Sequence, residues 1–361
     1  MRYTLGLGSL FGIPVRVHGT FPLVLVLYAA EAGRTGSARD ALLGAALVLC
    51  VFACVVLHEL GHSLVVRRYG IRVRDIVLFP IGGVARAESI PEDPRQEINV
   101  AIAGPIVNFV IAGVLFIVLA ARGASPLETG FFVDLAWVNL VLGVFNLVPA
   151  FPMDGGRILR GALSMRMPYL VATRRARDVG QIIALGFATI AFINISFIML
   201  SLVAVFVFAG GMMEERLVRT RTRLNGRSVG DLADVAAPVF SVADPVEVAA
   251  RVVNGRPVFA LAAESGALAG VVMVSDLLRA LRDGRAAEEL GSIARSDFPV
   301  AESGTEAIRV HRYLSETHQP FAAVVDGDRF LGLFHADDEL PLQPASDGRS
   351  PMGGRAPRTT G

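Results

Sequence analysis

The stretch that decides the fold is ALLGAALVLCVFACVVLHELGHSLVV, residues 41–66. A helix needs roughly 20 apolar residues to cross the hydrocarbon core of a bilayer, so this run predicts a membrane-spanning helix. Near its C-terminal end it also contains three ionisable side chains, His58, Glu59 and His62. Such groups are costly inside a membrane and mark functional sites by default. The stretch therefore predicts a membrane helix that carries a chemical site.

The composition of the whole chain agrees with a membrane protein. Of its 361 residues, 53% are hydrophobic and 19% are charged, and the mean hydropathy is +0.54. A soluble domain is about one-quarter charged, so a single water-soluble globule is excluded. The two cysteines, Cys50 and Cys54, both lie in the apolar run, which excludes a disulfide scaffold. No basic stripe interleaved with aromatic residues is present, and we therefore expect no nucleic-acid partner.

Six apolar runs predict a polytopic α-helical protein. They cover residues 19–30, 41–66, 98–121, 131–148, 179–191 and 193–212. The last two runs are compatible with one long helix, because Asn194 alone separates their apolar residues. The first run ends in an Ala-Glu-Ala sequence and also fits a cleaved signal peptide. We favour a retained helix, because the run begins late and contains Pro22.

The arginines predict the orientation of these helices. Clusters of arginines follow the second, fourth and sixth runs, whereas the other connecting segments contain few. The positive-inside rule then places both termini in the cytoplasm of a multi-pass protein of the plasma membrane. His58 precedes Arg67 by nine residues, about 13 Å along a helix. The site should accordingly lie nearer the cytoplasmic face.

The His-Glu-x-x-His pattern at 58–62 predicts a metal site. Residues four apart lie on one face of a helix, so the imidazoles of His58 and His62 can share a zinc ion. Glu59 is then placed to act as a base toward water. A helix end with satisfied polar side chains is the alternative interpretation. We favour the metal site, because three ionisable groups in an apolar helix are costly.

A catalytic zinc site needs a third protein ligand, and Asp154 is the best candidate. It lies in NLVPAFPMDGGR, residues 146–157, directly after the fourth run. Pro149 and Pro152 break the helix there, and the glycines that follow permit tight turns. A carboxylate can thus fold back to the cytoplasmic side of the membrane, near His58. The alternative is an ordinary aspartate in a turn.

These motifs together resemble the site-2 protease family of intramembrane zinc metalloproteases. That family has HExxH on one membrane helix and an Asn-x-x-Pro-x-x-Pro-x-Asp-Gly segment after a later one, and both occur here in that order. The GPIVN segment at 104–108 extends the similarity, whereas Met153 stands where leucine is usual. The resemblance implies one zinc ion per chain and a catalytic base. It assigns the zinc ligands to His58, His62 and Asp154 and the catalytic base to Glu59.

Four further residues are candidates for contact with substrate. Asn108 and Asn146 are polar side chains in apolar surroundings and could donate to an oxyanion or to substrate backbone, although hydrogen bonds between helices explain them nearly as well. Residues 77–86, VLFPIGGVAR, predict a strand, a turn and a second strand. An edge strand can bind an extended substrate, which would place Gly82 and Gly83 beside it. A membrane-surface loop is the alternative.

After Arg223 the sequence changes to short β-branched runs and turns, which predict a soluble α/β region. GVVMVSD at 270–276 matches GLFHADD at 332–338, an internal repeat of about 62 residues. The region resembles a tandem pair of CBS modules, which are fused to one branch of the protease family. The predicted organisation is a protease domain at 1–215, a basic linker at 216–227, CBS modules at 228–285 and 286–340, and a disordered tail at 341–361.

The resemblance makes Asp276 and Asp338 candidates for binding an adenine nucleotide. Met273 and His335 occupy positions where the family often has a hydroxyl, however, and residues 228–340 contain 18 acidic residues against 9 arginines. We therefore expect nucleotides to bind weakly if at all. CBS modules could instead pair two copies of the chain as a homodimer.

The sequence thus predicts about six transmembrane helices followed by a soluble α/β CBS pair. The predicted function is an intramembrane zinc endopeptidase that cleaves a transmembrane segment of a substrate protein, such as a membrane-bound regulator or an anti-sigma factor. The CBS pair would be its regulatory unit and the lipid bilayer its surroundings. The alternative is a nonproteolytic, metal-containing membrane transporter or receptor gated by the CBS pair.

The topology is testable by labelling single cysteines in a chain that lacks Cys50 and Cys54. Cysteines at positions 70 and 225 should react from the cytoplasmic side, and a cysteine at position 35 from the opposite side, because arginine-rich loops stay inside. Labelling of positions 70 and 225 from opposite faces would rule out the six-span arrangement.

Overall fold

The computed structural model describes residues 4–23, 37–80, 82–87, 93–123, 125–126, 130–194, 197–252, 258–262 and 267–336. The chain divides into two compact units, Met1–Arg219 and Thr220–Gly361. Most of the predicted first span, Asp338 and the predicted disordered tail lie outside the described residues.

The first unit is built mainly from helices. In chain order they are α1 (Ala38–Arg68), α2 (Pro94–Ala121), α3 (Phe131–Asn146), α4 (Asp154–Ser164), α5 (Tyr169–Ile193) and α6 (Met199–Leu224). Within the described ranges, α1, α2 and α5 are long and apolar enough to cross a membrane, and α3 is a shorter apolar helix. Large apolar side chains such as Ile117 on α2 and Ile182 on α5 are exposed, as contact with lipid requires.

The helices confirm the predicted membrane class, show the fifth and sixth runs as two helices, and correct the start of the fifth. The fifth and sixth apolar runs form separate helices, because α5 ends at Ile193 and Asn194 adopts an extended backbone before α6 begins. The fifth helix is also longer than its predicted run, since it starts at Tyr169 and includes the arginines before the apolar residues. The total of six spans remains a prediction.

A four-stranded sheet packs against α1. It consists of β1 (Thr4–Leu10), β2 (Ile13–His18), β3 (Val73–Phe79) and β4 (Gly82–Ala87), in that order. β3 and β4 form the hairpin that the sequence predicted, whereas the β1–β2 hairpin was not predicted. Leu60 of α1 packs with Ile13 and Ile76 of the central strands. This contact holds the sheet beside the histidines of α1.

The second unit contains the predicted repeat. The first copy comprises β5 (Val239–Ser241), α7 (Val246–Val252), β6 (Val258–Ala262), β7 (Leu268–Met273) and α8 (Val274–Arg282), and the second comprises β8 (Val300–Glu302), α9 (Ala307–Thr317), β9 (Phe321–Asp326) and β10 (Arg329–His335). In both copies the first strand is parallel to the middle strand, and the middle strand is antiparallel to the last. The same order of pairing confirms the internal duplication.

The two repeats share a hydrophobic cluster in addition to the cluster that each has of its own. Val258 and Val271 of the first repeat pack in one cluster with Phe321 and Leu333 of the second. The segment before each repeat also pairs with the other repeat, as the bridge between Asp234 and Leu333 shows. The repeats consequently fold as a pair.

Candidate metal centre

The two histidines of α1 are fixed by hydrogen bonds to α2. Nδ1 of His62 donates to the backbone carbonyl of Val100 over 2.6 Å, and Nδ1 of His58 donates to Oδ1 of Asn108 over 2.7 Å. All three side chains are buried. Because a carbonyl can only accept, the proton of a neutral His62 sits on Nδ1 and its Nε2 carries a free lone pair. Both rings are thereby oriented with Nε2 toward a common point.

Three potential ligand atoms meet at that point. The Nε2 atoms of His58 and His62 are 3.1 Å apart, and Oδ2 of Asp154 lies 3.2 Å from each of them. These three residues form the group that could hold a metal ion within the described part of the chain. Two imidazoles and one carboxylate are a donor set that zinc accepts.

The loop between α3 and α4 carries Asp154 to the histidines. α3 ends at Asn146, and α4 begins at Asp154 itself. A Cβ atom at Gly155 would lie 2.2 Å from the carbonyl oxygen of Val148, so the start of α4 packs directly on the loop backbone. The sequence predicted the glycines as turn formers. Their role here is instead to allow this close approach.

Gly104 provides the space for an ion. It lies on α2 opposite the imidazoles, where an added Cβ would stand 2.3 Å from Nε2 of His62 and 2.6 Å from Nε2 of His58. Any side chain would thus crowd both Nε2 atoms from the side of α2. The residues present fit a zinc ion, because the site combines three lone pairs with a space kept open by a glycine.

Glu59 faces the sheet and lies beside the histidines. A Cβ added at Gly83 of β4 would lie 2.7 Å from Cγ of Glu59, and the backbone N–H of Ala85 faces the carboxylate. β4 is the last strand in the order of the sheet, and no described strand pairs with its outer edge. The half-buried Glu59 therefore lies between the candidate metal ligands and β4, the last strand of the sheet.

The other predicted site residues have different surroundings. Asn108 makes the interhelical hydrogen bond that the sequence left as the alternative. Asn146 is the half-buried last residue of α3, and Gly82 begins β4. In the second unit Asp276 is ion-paired with Arg295, over 2.6 Å. Asp338 lies outside the described residues.

Two features of the centre were missed from the sequence. The acceptor at Val100 is a backbone carbonyl, which leaves no signature in the side chains. Arg160 of α4 is completely buried and paired with Glu97 of α2. Arg160 itself is visible in the sequence as a charged residue soon after Asp154. Its pairing could not be predicted, because Glu97 is distant in sequence.

Comparisons with known proteins agree with this chemistry. The model of peptidase family M50 matches residues 46–132 and 124–190. The zinc metalloprotease MJ0392 of Methanocaldococcus jannaschii is 32% identical over 346 residues, which cover 94% of this chain and 96% of that protein. A putative zinc metalloprotease of Mycobacterium tuberculosis, Rip3, is 30% identical over 318 residues, with 81% of this chain and 80% of that protein covered.

Solved structures match both parts of the chain. The site-2 protease from Methanocaldococcus jannaschii is 41% identical, with a TM-score of 0.46, and covers 59% of this chain and 96% of its own. For the C-terminal part, CBSX2 in complex with AMP is 21% identical, with a TM-score of 0.27, over 30% of this chain and 90% of that chain. With relatives of this identity matched over nearly their whole length, the chain belongs to peptidase family M50, the site-2 protease family of membrane zinc metalloproteases.

Proposed function

We propose that this protein is an intramembrane endopeptidase whose zinc ion is held by His58, His62 and Asp154, with Glu59 as the base. The observation that carries the proposal is the convergence of three lone-pair atoms within 3.2 Å, while both Nδ1 protons are donated elsewhere. The transporter alternative explains neither the adjacent glutamate nor the membership of a protease family.

The residues around the centre have distinct roles in the proposed peptide hydrolysis. Zinc, when bound, supplies a Lewis acid that makes water more acidic and polarises the scissile carbonyl. Glu59 takes the proton from the attacking water at its carboxylate and passes it to the leaving amine. Asn108 and the Val100 carbonyl keep both imidazoles turned toward the ion.

The open edge of β4 supports a role in binding substrate. A protease acts on an extended peptide, and an edge strand adds such a peptide by main-chain hydrogen bonds. A peptide paired with the edge of β4 at Gly83 would run past Glu59. The substrate is accordingly a membrane protein whose spanning segment unwinds to be cut, for example a membrane-bound regulator. Gly82 and Asn146 are proposed to contact it.

The second unit is proposed to act as a regulatory CBS pair. Its duplicated topology and shared core support this assignment. Pairing of two such units would give a homodimer. The arginine pattern supports the proposal that both termini lie in the cytoplasm. A location in the plasma membrane is part of the same proposal.

Glu59→Gln should retain zinc and lose cleavage. The amide cannot accept the proton of water, so kcat should fall by about 100-fold or more, the usual contribution of general-base catalysis. The two imidazoles and Asp154 are unchanged, and zinc content should therefore equal that of the wild type. Metal analysis and cleavage of a membrane substrate by the purified variant measure both quantities. Wild-type cleavage would disprove the proposed mechanism.

Asp154→Ala separates ligation from proton transfer. Loss of an indirect supporting contact commonly lowers metal affinity by about 10- to 100-fold, and loss of a ligand should cost at least as much. Zinc affinity and cleavage should both fall, unlike in Glu59→Gln. Asp178→Ala, which removes a half-buried carboxylate of α5 paired with Arg177, serves as the control. An unchanged zinc affinity would remove Asp154 from the ligand set.

Gly104→Ala tests the space for the ion. The added methyl group would clash with Nε2 of both histidines and displace the imidazoles, so zinc affinity should fall by at least about 10-fold while the helix itself is retained. Gly113→Ala is the matched control on the same helix, because a Cβ there meets no atom within 4 Å. Zinc titration of the two variants gives the comparison. Equal affinities would show that the ion binds elsewhere.

Adenine nucleotides should bind the full-length protein weakly, since Asp276 is already paired with Arg295. Calorimetric titration of the purified chain with ATP, ADP and AMP should give no saturable binding at cellular nucleotide concentrations. The matched control for Asp276→Ala is Asp283→Ala, because Asp276 lies in α8 and Asp283 directly follows that helix. Tight binding that is lost in Asp276→Ala alone would contradict the prediction.

A further inference from the structure

Arg160 is a completely buried cation in the interior of the first unit. It lies six residues after Asp154 on the same helix, about 9 Å along the axis. Its Nε donates to Oε1 of Glu97 over 2.7 Å, and its Nη1 donates to Oε1 of Glu214 over 2.6 Å. A buried guanidinium is strongly destabilising without such partners, so its position depends on both carboxylates.

Arg160 contacts both the loop that precedes Asp154 and the helices packed around that loop. Its guanidinium carbon lies 4.9 Å from the ring centres of Phe151, on the loop before Asp154, and Tyr169, at the start of α5. Glu97 stands on α2, three residues before the Val100 carbonyl that orients His62. One side chain therefore ties the loop and helix that carry Asp154 to the helix that holds the histidines.

Glu214 brings α6 into the same arrangement. One turn earlier on α6, a Cβ added at Gly210 would lie 2.5 Å from Cδ of Pro152, two residues before Asp154. α6 thus packs closely on the loop before Asp154 at Gly210. It is also joined to α4 by the ion pair between Glu214 and Arg160. α6 is also the helix through which the chain passes into the second unit.

We propose that Arg160 is a positioning residue for Asp154 and that its pairing with Glu214 makes the metal site depend on α6. The ion pairs with Glu97 and Glu214 fix where α4 begins relative to the histidines. Loss of the Glu214 contact frees one side of the guanidinium, lets the start of α4 shift, and loosens the carboxylate ligand. The inference rests on the ligand set of the proposed function.

The neighbouring Glu215 provides a matched control. Its side chain is 3% exposed, against 20% for Glu214, so its removal disturbs α6 at least as much. Glu215 pairs with Arg174 and Arg177 of α5 and with Arg219 of α6 itself, and none of these pairs involves α4. Substitution of either glutamate by glutamine removes one negative charge with little change in shape.

The experiment measures zinc affinity of the full-length protein by competition with a chelator, together with kcat and KM for cleavage. Glu214→Gln should weaken zinc binding by about 10-fold, as loss of an outer contact does, whereas Glu215→Gln should leave zinc affinity unchanged. KM should stay near the wild-type value in both variants, because neither residue lies at the β4 edge. Equal losses in both variants would show a general effect of helix packing and overturn the proposal, as would an unchanged affinity in Glu214→Gln.

Arg160→Lys keeps the charge but lacks the planar fork that reaches two carboxylates. It should weaken zinc binding, and adding Glu214→Gln to it should cause little further loss, because both changes break one interaction. Fully additive losses would contradict the coupling.

Asp154→Ala separates the two proposals. If it leaves zinc affinity unchanged, the ligand set fails, and if it abolishes binding while Glu214→Gln does not weaken it, the positioning role alone fails.

Discussion

The structure of the first unit depends on two hydrogen bonds that run from α1 to α2, from His58 to Asn108 and from His62 to the Val100 carbonyl. Polar groups in an apolar interior must be satisfied, so these bonds set the rotation of each helix against the other. They also fix the tautomer of both imidazoles. The same two contacts therefore serve packing and chemistry, because they leave the Nε2 atoms free and pointing at one place.

The two helices are also in close contact at two glycines. A Cβ at Gly61 of α1 would lie 2.9 Å from the Ala103 carbonyl oxygen, and Gly104 lies against both imidazoles. Small residues at a helix interface let backbones approach in a membrane. At Gly104 the missing side chain has a second consequence, since it leaves room for an ion beside the ligand atoms.

The sequence predicted those parts of the site that follow local periodicity. A spacing of four puts His58 and His62 on one face, and two prolines before Asp154 break the helix so that the carboxylate can turn back. The β3–β4 hairpin followed from its apolar strands and glycines. The β1–β2 hairpin was missed, because Gly6 and Gly8 weaken the strand pattern. The pairing of Arg160 with Glu97 and Glu214 joins distant segments, and no local pattern encodes it.

α6 contacts the loop that carries Asp154 and is also the helix by which the chain leaves the first unit. α6 packs on Pro152 through Gly210 and reaches Arg160 through Glu214, and the same helix continues past Arg219 into the second unit. Because α6 contacts Pro152 closely at Gly210 and pairs with Arg160 at Glu214, a rotation or shift of α6 would alter at least one of these contacts. Under the proposed role of Arg160, such a shift acts on Asp154 through α4, whereas the histidines are held by their own hydrogen bonds to Asn108 and Val100 of α2. Regulation by this route would act on the carboxylate ligand and leave the β4 edge, where substrate is proposed to bind, unchanged.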